Sequence, residues 1–390
     1  MDQKRFLIED YIRGTFSMSE LARRYGVSRK TTYKWITRFE EQGRTGLEDR
    51  SRRPVTSPTR TPQDVVDEIV QLRGRHPFWG AKKLLTILHA RHPEVEWPSR
   101  STVCDLLKRN DLISSKTRRR YPGHAGRPTT PMHAPNEIWC ADFKGQFKTR
   151  DGIYCYPLTV TDGFSRYLLC CKGLPSTEHE LAKPVFTRLF SEFGLPAVIR
   201  TDNGVPFATT ALSRLSRLSV WWIRLGIYPE LIEPGHPEQN GRHERMHRTL
   251  KQHTARPASA SLRSQQRRFD QFRTEYNEQR PHEALGQATP SSLYRRSERE
   301  MPARLHEIDY PPHLELRLVS ANGGIRFNWR RVNISHVLKH QYVGLEEVGD
   351  GVWDVYFGTL RLGQFDERHY KLEDALGRRA RKRMSPMSSD

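Results

Sequence analysis

Arg200-Thr201-Asp202-Asn203-Gly204 follows the apolar run Ala197-Val198-Ile199. Together they read as a short buried strand that ends in an Asp-Asn-Gly turn and leaves Asp202 where a strand opens onto a cleft. Asp-Asn-Gly alone is ordinary turn chemistry. It gains meaning from a second strand far upstream that also ends in a carboxylate, Ile138-Trp139-Cys140-Ala141-Asp142-Phe143. A third carboxylate lies downstream on a helix, within His236-Pro237-Glu238-Gln239-Asn240-Gly241-Arg242-His243-Glu244-Arg245. Three acids from three elements suit a two-metal phosphoryl-transfer site. In-line attack on a phosphodiester needs the attacking and leaving oxygens both stabilised, which two Mg²⁺ ions roughly 3.5–4 Å apart do, held by hard oxygen ligands.

Around these acids the sequence alternates in type. Strands are predicted over Ile138 to Phe143, Tyr154 to Thr161, Tyr167 to Lys172 and Ala197 to Arg200, the first three joined as hairpins at Asp151-Gly152 and Asp162-Gly163. A helix from Glu178 to Phe193 precedes the fourth strand. Later helices run from Leu212 to about Trp222, Asn240 to about Thr254, and Leu262 to Tyr276. Three antiparallel strands, a crossover helix and a further strand make a mixed α/β sheet flanked by helices, in the order of an RNase H-like core.

Residues 136–295 resemble the catalytic core of the retroviral-integrase superfamily, and within it the insertion-sequence transposases with an Asp-Asp-Glu triad. The resemblance rests on Trp139 through Phe143, Thr201 through Gly204, Pro237 through Gly241 with Glu244-Arg245, and His247-Arg248-Thr249-Leu250-Lys251. It extends to Tyr276-Asn277, Arg280-Pro281-His282 and Ala284-Leu285. It implies Asp142 as the ligand shared by both metals, Asp202 as the second ligand of one, and Glu244 as that of the other. Mg²⁺ is the expected ion, with Mn²⁺ able to substitute. Between Asp202 and Glu238 lie 35 residues, the spacing known in the family, and between Asp202 and Glu244 lie 41. Local context favours Glu244, which follows Gln239-Asn240-Gly241 and sits in the first turn of a helix. From it His247, Arg248 and Lys251 continue one helical face at i+3, i+4 and i+7. Arg248 and Lys251 there are either ordinary helix charge pairs or holders of a DNA backbone. Asp151 and Asp162 read as turn residues. The family's zinc-binding domain with paired His and Cys has no counterpart, Cys104 lacks a partner at ligand spacing, and no zinc is expected.

The flanking regions point to DNA. Over residues 1–48, Ser19-Glu20-Leu21-Ala22 opens a helix, Gly26-Val27 turns, and Ser28 caps a helix whose buried stripe is Thr32, Trp35, Ile36 and Phe39. Arg29, Lys30, Thr31 and Lys34 are left outward near its N-terminus, as on a helix-turn-helix recognition helix. A basic, proline-broken linker (49–60) leads to a second helix-turn-helix unit (61–113), with Arg100, Ser101 and Thr102 at the start of its last helix. A linker rich in Lys, Arg, Pro and Gly (114–135) carries Arg118, Arg119 and Arg120. After the core, five short strands over 310–372 predict a small all-β, SH3-like barrel, followed by a basic tail (373–390) expected to be disordered.

The 390 residues carry 65 Lys and Arg against 45 Asp and Glu, a formal charge of +20 that favours a polyanionic partner. Five irregularly spaced cysteines and the lack of an apolar leader or span imply a soluble, cytoplasmic protein without disulfides. The family resemblance further implies a bacterial, nucleoid-associated enzyme that grips the terminal inverted repeats of its element, cuts there, and joins the ends to target DNA. A homo-oligomer, dimer or larger, would synapse two ends. The alternatives are a DNA-binding regulator with an inactive core and a stand-alone nuclease.

Overall fold

The computed structural model describes residues 2–49, 60–113, 130–233, 237–255 and 257–375. Arg118, Arg119 and Arg120, most of both linkers and most of the basic tail lie outside them. The chain divides into two units, Met1–Val66 and Asp67–Asp390.

The first unit holds α1 (Asp2–Ile12), α2 (Met18–Arg24) and α3 (Arg29–Gln42). Helix α2 opens earlier than the sequence suggested. Ser17 is its cap, and Glu20 answers in a capping box by accepting the Ser17 amide at 2.8 Å. Gly26, at φ +61°, makes the turn, and Ser28 accepts the Thr31 amide at 3.1 Å to start α3. Thr32 and Ile36 are buried as predicted, and Ile36 packs with Leu7, Ile8 and Leu47 while Trp35 and Phe39 cover the cluster's edge.

Helices α4 (Gln63–Arg75), α5 (Ala81–Arg91) and α6 (Arg100–Arg109) come next. They bury Ile69, Leu72, Leu84, Leu88, Val103 and Leu107, and Ser99 caps α6. This helical subdomain is seated on the RNase H-like core. Trp79 stacks on His76 at 3.8 Å, His76 Nδ1 lies 3.1 Å from Glu275 Oε1, Phe78 meets the His253 ring, and Lys82 pairs with Glu283.

The core begins with β1 (Ile138–Phe143), β2 (Phe147–Lys148), β3 (Tyr154–Asp162) and β4 (Leu168–Leu174), continues through α7 (His179–Phe193) and β5 (Val198–Thr201), then α8 (Arg217–Arg224) and β6 (Tyr228–Leu231). The sheet order is β4-β3-β1-β5-β6, with β2 on the first residues of β3. Strands β1, β3 and β4 are antiparallel neighbours, whereas β5 runs parallel to β1 and β6 parallel to β5. This is the mixed sheet of an RNase H-like core. Strand β6 is not among the strands predicted from sequence. Only four residues long and carrying Pro229, it lacks an alternating pattern, and it is held by the ion pair of buried Arg200 with Glu230. One face of the sheet packs on α7 and α8 through Trp139, Phe186, Phe190 and Trp222. The other packs on α9 (Gly241–Thr254) and α10 (Leu262–Thr274) through Met246, Leu250, Phe269 and Phe272. Beyond α10, Asn277 stitches the chain to β4, its Oδ1 accepting the Leu168 amide at 2.8 Å and its Nδ2 donating to the Leu168 carbonyl at 3.0 Å. That gives the Tyr-Asn part of the motif a structural role.

After α11 (Pro290–Leu293) the chain turns to β7 (Glu315–Leu318), β8 (Gly324–Phe327), β9 (Arg330–Asn333), β10 (Tyr342–Gly349), β11 (Val352–Phe357), β12 (Leu360–Asp366) and β13 (Leu372–Asp374). These are seven strands, two more than the sequence suggested, arranged as an antiparallel sheet β13-β12-β11-β10-β7 and a β8–β9 hairpin. Their shared core includes Leu215, Val220 and Ile223 from the α8 region. Leu218, Trp221 and Trp222 of the same helix point into the RNase H-like core.

Candidate active site

Sheet register sets the first two acids side by side. The parallel β1–β5 pairing ends at Ala141 opposite Thr201, so Asp142 and Asp202 are the residues that directly follow the last paired rung. Asp202 sits in the turn that ends β5. Its Oδ1 accepts the Gly204 amide at 3.1 Å, and Asn203 ties the turn to β6 by donating to the Ile232 carbonyl at 2.8 Å. A Cβ on Gly204 would lie 3.0 Å from Asp202 Oδ2, so a side chain there would press on the carboxylate.

The third element is α9, entered from a 3₁₀ turn at Pro237–Asn240. Glu238 lies in that turn, its side chain outside the described residues. Glu244 lies in the first turn of α9, exposed, with exposed Arg248 and Lys251 further along the helix. His247 departs from the sequence reading. It does not share that outward face but is buried, with His243, Met246 and Leu250. Beneath Asp142 the two histidines form a polar network with β3. Thr159 Oγ1 lies 2.8 Å from His243 Nε2 and 2.6 Å from His247 Nε2, and Thr161 Oγ1 lies 2.9 Å from His243 Nδ1. Thr159 also donates to the Asp142 carbonyl at 3.1 Å. His247 Nδ1 stands 3.5 Å from Asp142 Oδ2. Asp142, His243 and His247 are thus the one His, Cys, Asp and Glu group among the described residues whose ligand atoms lie within 4.8 Å of each other. The sequence reading passed over His243 altogether. The signal available was its i, i+4 spacing to His247, which puts both on one helical face.

The electrostatics follow from burial. Asp142 is pushed up to about 7, first by burial and then by the charge of Asp202, with Glu244 adding and Lys144 opposing. Asp142 therefore feels the charge of both other acids. His243 is pushed down to about 3 by burial, and His247 lower still, with His243 and Lys144 as further causes. Both rings are neutral near pH 7. Lys144, two residues beyond Asp142, was missed from sequence. With Lys251 it lines a cavity of about 300 Å³ between the loop after β1 and helix α9.

The turn readings of Asp162 and Asp151 agree with their contacts. Asp162 accepts from the Asn136 amide and from the Ser165 amide and hydroxyl at 2.6–2.7 Å, and Asp151 accepts from Thr149 and the Ile153 amide. Arg29, Lys30 and Lys34 are exposed on α3, whereas Thr31 is half-buried with its hydroxyl against that of Ser28. Arg100 and Ser101 are exposed on α6, and Thr102 turns its hydroxyl to the Ser99 cap. All five cysteines are free thiols, and among the described residues no helix is long and apolar enough to cross a membrane.

Two integrase core domain families match, one over residues 132–237 and one over 225–290. A helix-turn-helix domain family matches residues 3–54, and a homeodomain-like family 31–107. The chain is 26% identical over 255 residues to the insertion element IS476 uncharacterized 39.2 kDa protein of Xanthomonas euvesicatoria, covering 64% of this chain and 69% of that protein. It is 34% identical over 123 residues to the Gag-Pol polyprotein of baboon endogenous virus, which covers 32% of this chain but only 7% of the polyprotein. Among solved structures, a simian T-cell lymphotropic virus intasome in complex with PP2A regulatory subunit B56 gamma aligns over 75% of this chain and 97% of the viral one, at 16% identity and TM-score 0.37. The HTLV-2 integrase catalytic core in complex with magnesium aligns over 42% of this chain and 98% of that one, at 17% identity and TM-score 0.33.

Proposed function

We propose that this chain, an integrase-superfamily protein related to those of insertion elements, is a DNA transposase that cleaves at the ends of its element and joins them to target DNA. One observation carries the reading: Asp142 and Asp202 each directly follow the last paired rung of β1 and β5, and Asp142 feels the charges of both Asp202 and Glu244. A carboxylate raised first by burial and then by the charges of Asp202 and Glu244 fits a divalent cation that would neutralise the group. Asp142 would serve both ions, with Asp202 and Glu244 serving one each, and Mg²⁺ or Mn²⁺ suits this oxygen set. When bound, the ions would stabilise the attacking and leaving oxygens of the phosphodiester.

The rest of the work falls to the chain itself. Exposed Arg248 and Lys251 on α9 would hold DNA phosphates alongside Glu244. Arg29, Lys30 and Lys34 on α3, with Arg100 and Ser101 on α6, would grip the terminal inverted repeats. Hydrolysis of one strand at each end exposes a 3′-hydroxyl, which attacks a target phosphodiester and displaces a target 3′-oxygen, so no enzyme–DNA covalent bond is needed. Two ends processed together call for a dimer or larger assembly, working at the bacterial nucleoid. A regulator with an inactive core would not need all three acids, and a stand-alone nuclease would not need two helix-turn-helix units.

The test is strand transfer in Mg²⁺ or Mn²⁺ with the gene's own flanking DNA as donor. Wild type is expected to join ends, Asp202→Asn and Glu244→Gln to be inactive, and Glu238→Gln to survive. Loss in Glu238→Gln with Glu244→Gln active moves the third acid to the 3₁₀ turn. Wild type that binds ends but never cuts or joins them supports the regulator.

A further inference from the structure

The proton count of the buried network leaves one nitrogen bare. A carbonyl oxygen has no proton, so the contact between Thr159 and the Asp142 carbonyl at 3.1 Å uses the single hydroxyl proton of Thr159. The proton arrangement that makes all three contacts hydrogen bonds has the Thr159 oxygen accept from both rings, from His243 Nε2–H at 2.8 Å and His247 Nε2–H at 2.6 Å. A neutral imidazole carries one N–H. His243 Nδ1 is therefore an acceptor, and Thr161 Oγ1 donates to it at 2.9 Å. His243 thus has both nitrogens engaged. His247 has Nε2 engaged, and its unprotonated Nδ1 faces Asp142 Oδ2 at 3.5 Å. Two acceptors facing each other repel unless a proton on Asp142 or a cation lies between them. For a six-coordinate ion with donors at roughly 2.1 Å, two ligands in adjacent positions lie roughly 3 Å apart, near the separation seen.

We infer that His247 Nδ1 is a ligand of the metal held by Asp142, so that the site has one nitrogen donor and takes a transition ion such as Mn²⁺ in preference to Mg²⁺. The inference rests on the carboxylate metal site proposed above and adds a ligand to it. Mg²⁺ favours oxygen donors and gives up its waters reluctantly, whereas divalent transition ions accept imidazole. His243 has the opposite role. It is a positioning residue that fixes, through Thr159, which nitrogen of His247 carries the proton.

The test is pulsed electron paramagnetic resonance of full-length protein loaded with Mn²⁺, with Mn²⁺ and Mg²⁺ affinities measured alongside. Wild type is expected to show ¹⁴N modulation from a bound imidazole, lost in His247→Gln and kept in His243→Gln. The Mn²⁺-over-Mg²⁺ affinity ratio should fall about tenfold in His247→Gln. If His247→Gln does not fold, wild type labelled with ¹⁵N-histidine serves instead, and its modulation must change to that of ¹⁵N. Mn²⁺ that binds in an Asp142-dependent way without nitrogen modulation, or with modulation that survives His247→Gln, overturns the inference and leaves the carboxylate site standing. Mn²⁺ binding that ignores Asp142→Asn overturns the carboxylate site itself.

Discussion

Helix α9 has two faces that carry different kinds of information. The outward face bears Glu244, Arg248 and Lys251, exposed and spaced so that each can meet DNA or a cation without disturbing the fold. The inward face bears His243 and His247, buried and hydrogen-bonded to Thr159 and Thr161, so that each is part of the fold and of the site at once. The outward face should tolerate substitution in stability and fail in function. The inward face should fail in both.

The sharpest way to break that contrast is to neutralise the acids. Asp202→Asn and Glu244→Gln are each expected to lower strand transfer by at least about 10³-fold. Glu244→Gln should leave the melting temperature within a degree or two, because the side chain is exposed. A large melting shift in Glu244→Gln would show that the outward face is structural after all.

The next effect is on pH dependence. Asp142 is held at about 7 against an ordinary 3.8, so in metal-free protein the folded state keeps a proton that the unfolded chain has released. Its contribution to stability therefore falls as pH rises from about 4 to about 7, by up to ~4 kcal/mol. His243 and His247 act in the other sense. Their lowered values cost stability as pH falls below about 6.5. Urea unfolding in EDTA at pH 4.5 and 7.5 should show Asp142→Asn gaining on wild type at the higher pH. An unchanged difference between the two proteins would mean that Asp142 is ionised throughout.

A smaller loss is expected from His243→Leu. It strands the hydroxyl of Thr161 and an acceptor site on Thr159, at a cost of roughly 1–3 kcal/mol by chemical denaturation. The smallest effects belong to the outward cations. Arg248→Ala and Lys251→Ala should each weaken DNA binding a few-fold, whatever the sequence, and each should reduce the slope of log affinity against log salt by about 1. A change in sequence preference would instead make them readers of bases.

How much was legible in the sequence follows from the same contrast. Asp142 and Asp202 could be read because each ends an apolar run, and an acid closing a buried strand stands out from its neighbours. The order of strands and helices was legible for the same reason. Strand β6 was not, since four residues with a proline carry no periodic pattern and owe their place to the neighbouring β5. His247 was assigned to the wrong face because i+3 and i+4 neighbours of Glu244 diverge by about 100° around the helix, enough to turn one inward. Nothing in the sequence marks Thr159 and Thr161 as partners of the histidines, since strand and helix meet only through tertiary packing. The basic residues proposed to hold DNA were legible only as exposed positive charge near a helix start or beside Glu244.

Helix α8 also bears on how such a chain could be taken apart. Leu218, Trp221 and Trp222 fill the RNase H-like core, while Val220 and Ile223, with nearby Leu215, fill the core of the C-terminal sheets. A hypothetical Cβ on Gly358 would come within 2.9 Å of Ile223, a measure of how closely the second surface is covered. Sequence composition suggests two modules that evolution or an experimenter could separate near residue 300. Thermodynamically they share a wall, and removing the C-terminal strands would leave an apolar strip of the catalytic half open to water. A fragment ending there should aggregate rather than catalyse, and any exchange of C-terminal modules between relatives would have to carry a matching α8 with it.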